Sequence, residues 1–430
     1  MIVTQDAAST YDIAPTLRLF AQPIELLPPP PTEIGDEEAL APEHVDPIAG
    51  HPKLGRKGET LYVRPVDHLE EATDLSRDET DSGLFEKTRS PPDTPLAKGV
   101  TDPPGSFAAR IKRVDEADGE KLGKHKNIRG FRLHAERGCT FWRFNIEVEL
   151  RPKQQRIAYR INRGPATGFW VPAKGTGMNI MFHSCNGFSL GATPDEFSGP
   201  DPMWRDVLNA HQSSPFHVMI GGGDQVYNDA VTRQTEIFKD WLTIKNPLQK
   251  HNAPLTPEMQ DELETFYLDR YSMWFSQGLF GMANSQIPMV NMYDDHDIID
   301  GFGSYPHHFM NSPVFSGLGN IAFKYYMLFQ HQSVMGETEE SEPSWILGSR
   351  PGPYINELSR SLFMSLGSGV ALLAVDARTE RTRNEVLRED TWKKIMDRCY
   401  DEMEKGKPQH LLVLLGVPIA YPRLVWLENM

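Results

Sequence analysis

Between Thr140 and Leu150 the chain alternates cleanly: Trp142, Phe144, Ile146, Val148 and Leu150 fall on one face, Arg143, Asn145, Glu147 and Glu149 on the other. A period of two predicts a half-buried strand. Ile157, Tyr159 and Ile161 repeat the alternation after the turn-prone RPKQQ, so a hairpin of a small antiparallel β-domain is expected over 126–175, with GPATGFWVPAKGTG leading out of it. From residue 176 the pattern changes. NIMFHSC, FHVMIGG, IPMVNMYDD, VALLAVDAR and HLLVLLGVP are apolar runs too short for helices, and helical stretches separate them. Buried strands alternating with helices predict an α/β layer fold over 176–430. One helix begins at Thr256 and Pro257, which suit a cap and a first turn, and it turns Leu263, Phe266, Tyr267 and Trp274 inward. Another carries Trp392, Ile395, Met396, Cys399 and Met403 at helical spacing before Gly406 and Pro408. Cys399 therefore reads as core packing, and Cys139, beside a strand start, reads the same way.

Residues 1–125 carry little periodicity. LLPPPPTEIGDEEALAPEHVDP and SRDETDSGLFEKTRSPPDTPLAKGVTDPPGS are rich in Pro, Ser, Asp and Glu, which predicts a largely irregular region broken by short strands such as GETLYVRPV. Charge removes a class of partner: 44 Lys and Arg against 59 Asp and Glu leave −15, which repels a polyanionic backbone and argues against general nucleic-acid binding. No apolar run approaches the roughly 18 residues of a membrane helix. The start, MIVTQDAAST, lacks a basic stretch followed by an apolar one, so the expected compartment is the cytoplasm. Three cysteines, 139, 185 and 399, are too few for a disulfide framework.

Chemistry gathers at the strand ends. NIMFHSC ends in Cys185, FHVMIGG leads into Asp224, IPMVNMY into Asp294, Asp295, His296 and Asp297, and VALLAV into Asp376 and Arg378. Each has an ordinary reading: an Asp after a strand forms turns, a lone His or Cys packs, and Arg378 pairs with a neighbouring carboxylate. Four ends that agree favour a metal or acid–base site in the crevice at the carboxyl side of the sheet. The loop GGGDQVYNDA, 221–230, resembles a phosphate cradle only in its glycines. It has no lysine for a P-loop, and Val226 stands where a dinucleotide fingerprint needs glycine. Asp224 and Asp229 repel phosphate unless a cation intervenes, so the glycines are expected to let the backbone turn until Asp224 reaches a metal. GFSLG, 187–191, matches a serine nucleophile elbow, but Pro194, Pro200 and Pro202 oppose the long helix that elbow requires.

Gly223, Asp224 and Tyr227 form a GDxxY motif, and with SCNGFS before it and YDDHDIIDGFGSYP after it the chain resembles the fungal branch of the PhoD-like phosphatases over roughly residues 130–430. The resemblance implies a calcineurin-like metallophosphoesterase fold, a layered β-sandwich flanked by helices behind a small antiparallel β-domain. It also implies metal-dependent hydrolysis of a small phosphoester by a metal-bound hydroxide, with iron and calcium as the expected ions. By the same resemblance Asp224 bridges the metals, Tyr227 is a phenolate ligand for ferric iron, Cys185 is a thiolate ligand, and Asp295 takes the second metal. His296 stabilises or protonates the leaving oxygen. Asp294 or Asp297 adds a hard cation such as calcium, and Arg378 contacts the substrate phosphate, which its fork suits. Family members carry a later GDVH- or GHxH-like motif that this chain, ending in LVWLENM, does not contain. His307, His308, His331 and His410 lie outside any such motif. The departure implies either a fragment or shortened gene product, whose lost strands would leave a sheet edge uncovered, or a member whose site is incomplete. A non-catalytic scaffold or binding protein therefore stands as the alternative to the hydrolase.

Overall fold

The computed structural model describes residues 1–5, 14–22, 119–162, 166–188, 202–276, 278–406 and 408–417, in a mixed α/β arrangement built on four small sheets. The first seven strands are β1 (Ile2–Gln5), β2 (Thr16–Gln22), β3 (His125–Arg129), β4 (Phe131–Glu136), β5 (Cys139–Arg143), β6 (Gln155–Ile161) and β7 (Ala166–Val171). They form two antiparallel sheets, ordered β1-β5-β4 and β3-β2-β6-β7. The expected hairpin is corrected here. The alternating strand stops at Arg143, and its partners are β1 and β4, whereas β6 pairs with β2 and β7 in the other sheet. β2, more than a hundred residues upstream, supplies the neighbour that a local hairpin would have supplied, and the stretch read as an exit is β7. Beyond Arg143 only part of the alternation is used: Phe144 and Val148 pack against the cluster of Leu17, Leu19 and Ile157, while Ile146 and Leu150 stay exposed. Two strands, β1 and β2, thus come from the first 22 residues of the region read as irregular. The segment GETLYVRPV lies outside the described residues.

β8 (Ile180–His183), β9 (Val218–Gly221) and β10 (Met289–Asn291) form a parallel sheet with β9 central. β11 (Trp345–Leu347), β12 (Arg360–Ser365), β13 (Val370–Val375) and β14 (His410–Leu415) form the fourth sheet, antiparallel up to β13 and parallel between β13 and β14. All five apolar runs read as strands therefore contain one. The longer helices among the described residues are α1 (Pro202–Ser213), α2 (Pro257–Ser276), α3 (Gly278–Gln286), α4 (Pro313–Gln330) and α5 (Glu389–Glu404). None is long and apolar enough to cross a membrane.

Alternation along β13, with the middle of β12, explains why VALLAV is apolar at every position. Leu362, Leu372 and Ala374 join the main core with Met219 and Ile220 of β9, Tyr267 and Tyr271 of α2, and Phe323 and Tyr326 of α4. Phe363, Ala371, Leu373 and Val375 face the other way, under Ile395 and Cys399 of α5. A strand covered on both faces favours apolar side chains throughout, and the buried polar positions of β12, Arg360 and Ser361, are hydrogen-bonded. Cys139 is buried in the main core, so both expectations of packed thiols hold.

Ion pairs tie the first sheet to the helices. Arg137 reaches Asp261 and Glu264 of α2, each at 2.7 Å, and Lys324 of α4 donates to Glu136 at 2.8 Å. Burial opposes the Glu136 charge, yet hydrogen bonds from His134 and Lys324 hold its carboxyl down to about 2, from an ordinary 4.5. A depressed carboxyl stabilises the fold above its ordinary value and loses that contribution as pH falls from there toward the folded one. Urea unfolding should therefore show wild type exceeding Glu136→Gln by up to ~3 kcal/mol at neutral pH, and the gap should close between pH 4.5 and about 2.

Candidate metal centre

Loops after β8, β9, β10 and β13 converge at the carboxyl ends of those strands. Two of them are laced together by backbone: Cys185 N donates to Gly223 O at 3.1 Å and Asn186 N to Asp224 O at 2.8 Å. Cys185 and Asp224 both sit in the left-handed region, φ 52° and 56°, a conformation that costs a non-glycine residue on the order of 1 kcal/mol. It places Cys185 Sγ 3.6 Å from Asp224 Oδ2. Gly223 answers why the loop needs glycine. Its φ is 119°, and an added Cβ would lie 2.6 Å from Asp294 Cβ, so only a bare backbone lets the two loops approach.

The DDHD stretch is a short helical turn, Asp295–Asp297, entered from Asp294. Asp224, Asp294 and Asp295 each offer a carboxylate oxygen within 4.8 Å of the others, and Asp295, His296 and Asp300 form a second such group. Burial first, then the Asp294 and Asp295 charges, push the Asp224 carboxyl up to about 6. Asp294 is raised as well, by burial acting against Arg378. Carboxylates held together at this cost make a cation the natural counterpart.

His296 is fixed from three sides. Its backbone N donates to Asp224 Oδ1 at 3.2 Å, its Nδ1 lies 2.6 Å from Asp229 Oδ2, and its ring stacks on Tyr227 at 4.3 Å and 16°. Burial works against the imidazolium, but Asp229, with Asp224 and Asp295 behind it, lifts His296 to about 9. Tyr227 is pushed the other way from ionisation: burial, Asp224 and Cys185 all raise its phenol. Arg270 grips the Tyr227 carbonyl through Nε and Nη2 at 3.1 and 2.6 Å.

Two expected site residues do something different. Asp297 is fully buried beneath the cluster. Its Oδ2 accepts from Asp224 N and Asp294 N at 2.7 and 2.9 Å, and its Oδ1 from Val226 N and Gln330 Nε2 at 3.1 and 2.8 Å. All of its acceptor directions are used by the protein, so it braces the loops instead of facing a cation. Arg378 is expected to face a phosphate, yet its Nε is on Asp294, its Nη2 on Asp295 at 3.1 Å and its Nη1 on Phe302 O at 3.0 Å. The ordinary reading, an arginine paired with neighbouring aspartates, is the arrangement found. Asp376 likewise forms the turn after β13, accepting from Arg378 N and Thr379 N at 3.0 and 2.9 Å.

Cys185, Asp224, Tyr227, Asp294, Asp295 and His296 are brought together. His307, His308, His331 and His410 join neither carboxylate group; His331, for one, is buried against Tyr326 and Trp345. The serine of GFSLG lies outside the described residues. Asp229 escaped notice as a partner of His296; its signal was its position five residues after Asp224 in the same acidic loop. Gln330, at the end of α4, carries no such signal.

The chain is 37% identical over 311 residues to the uncharacterized protein YGR266W of Saccharomyces cerevisiae, a match that takes in 67% of this chain and 44% of that protein. The chain therefore spans less than half the length of that relative. A solved structure of PhoD resembles 61% of this chain and 41% of its own, at 15% identity and a TM-score of 0.31, too loose a likeness to carry residues across. A family model described as PhoD related phosphatase matches residues 168–430. The chain belongs to the PhoD related phosphatase family.

Proposed function

We propose that this chain is a metal-dependent phosphoester hydrolase whose reaction centre is the cluster at the ends of β8, β9, β10 and β13. The observation that carries the reading is the convergence of Asp224, from the GDxxY motif, with Asp294 and Asp295 inside 4.8 Å. The donor set fits cations of two kinds. Cys185 and Tyr227 with Asp224 would hold the softer ion, iron, and Asp294 and Asp295 with Asp224 the harder one, calcium. When bound, such ions offset phosphoryl charge and lower the pKa of water. The protein's own part is positional. Asp229 holds His296 through Nδ1 and keeps it protonated, so the ring can deliver a proton through Nε2 to the leaving-group oxygen. Arg378 spaces Asp294 and Asp295. Asp297 sets the backbone that carries Asp224 and Asp294. We read the sheets β8–β10 and β11–β14 as the two layers of a calcineurin-like sandwich, supported by the core that Met219, Ile220, Leu362 and Leu372 share.

A second reading, binding without turnover, draws on Arg378: a guanidinium on Asp294 and Asp295 already offsets part of the charge a metal would offset. Metal content separates the two. Wild-type protein dialysed against iron and calcium should retain both ions, Asp295→Asn should lose calcium first, and Cys185→Ser should lose iron first. Wild type that retains neither ion would leave the second reading standing.

A further inference from the structure

Arg381 stands three residues past Arg378, and a hydrogen bond from Arg381 N to Arg378 O, 3.3 Å, closes the turn between them. The two guanidinium groups differ in circumstance. All three nitrogens of Arg378 are engaged. Arg381 Nε and Nη1 are covered from solvent and bond nothing. The Arg381 stem lies flat on Gly303, φ 93°, where an added Cβ would meet Arg381 Cδ, Cγ and Cβ at 3.0, 3.1 and 3.2 Å. That glycine belongs to the loop following DDHD, so Arg381 stands at the margin of the carboxylate cluster, close enough for Asp294 and Asp295 to attract its charge and Arg378 to repel it. Covered donors without acceptors, beside a like charge, are an unfavourable arrangement that calls for an explanation. An anion with several acceptor oxygens supplies one, and a planar fork suits phosphoryl oxygens better than an ammonium does.

We infer that Arg381, and not Arg378, is the guanidinium that reads the phosphoryl group, its fork donating to two non-bridging oxygens while Arg378 keeps the carboxylates spaced. This rests on the hydrolase reading only in calling that anion a substrate. The test uses the full chain supplied with iron and calcium, as wild type, Arg381→Met and Arg381→Lys. Inorganic phosphate binding is measured by calorimetry, and hydrolysis of bis(p-nitrophenyl) phosphate is followed in parallel. Arg381→Met should weaken phosphate binding and lower kcat/KM by about tenfold or more, and Arg381→Lys should recover only part of the loss. The thermal midpoint of Arg381→Met should equal or exceed that of wild type, because no covered donor remains unmet. Phosphate binding that depends on Arg381 in a chain without turnover would uphold the inference and sink the hydrolase reading. Turnover that needs Asp224 but is indifferent to Arg381→Met would do the reverse. Wild type that binds no phosphate would overturn the inference.

Discussion

Asp297→Ala should cost about 4 kcal/mol or more of stability, measured as urea unfolding in the presence of chelator so that no metal contributes. The expectation follows from what the carboxylate holds. Three backbone donors, on Asp224, Val226 and Asp294, and the side-chain amide of Gln330 all end on its two oxygens. Burial and the nearby Asp224 charge push the Asp297 carboxyl up, while these donors pull against them. Removing the acceptor leaves covered N–H groups without partners, each of which costs about 1–3 kcal/mol, though not additively. Asp297→Asn should fall between, since its amide nitrogen meets donors where it needs acceptors. An unchanged midpoint in Asp297→Ala, with metal binding lost, would show instead that the residue faces a cation.

Asp224→Asn should behave in the opposite sense. It removes the charge shared by both proposed ions, and several kcal/mol of lost transition-state stabilisation corresponds to a drop of about 10³ in turnover of bis(p-nitrophenyl) phosphate. Stability should hold. In the metal-free protein Asp224 is repelled by Asp294 and Asp295, so an uncharged amide at that place relieves the cluster. The metal-free variant should therefore unfold at the same or a higher urea concentration than metal-free wild type. Loss of activity together with collapse of the fold would remove the distinction between a reaction-centre residue and a brace.

That distinction marks where the sequence was legible. Apolar runs announced β8, β9, β10, β13 and β14; burial on both faces accounts for β9 and β13, whereas Leu411, Leu412 and Val413 of β14 are exposed. Thr256 with Pro257, and the spacing from Trp392 to Met403, announced α2 and α5. The expected hairpin failed because β5 pairs with β1 and β4 while β6 lies between β7 and residues 16–22, and no local pattern reports so distant a pairing. In the site, the motifs brought Asp224, Tyr227, Asp294, Asp295 and His296 to one place as expected. Sequence spacing does not say which way a carboxylate points. Asp294 and Asp297 are three apart in one turn, yet the first faces Arg378 and the cluster while the second faces backbone N–H groups. The same blindness applies to arginines: Arg378 and Arg381 share a turn, and only their partners separate a clamp from an unmet donor.

The proposed phosphoester hydrolysis depends on metals held by this chain's own carboxylate cluster. The most direct measurement is turnover of bis(p-nitrophenyl) phosphate by the folded wild-type chain before chelation, after chelation, and after return of iron and calcium. Turnover that vanishes with the metals and returns with them is the predicted result. No turnover by a folded chain shown to hold both ions, or turnover indifferent to chelation, would contradict it.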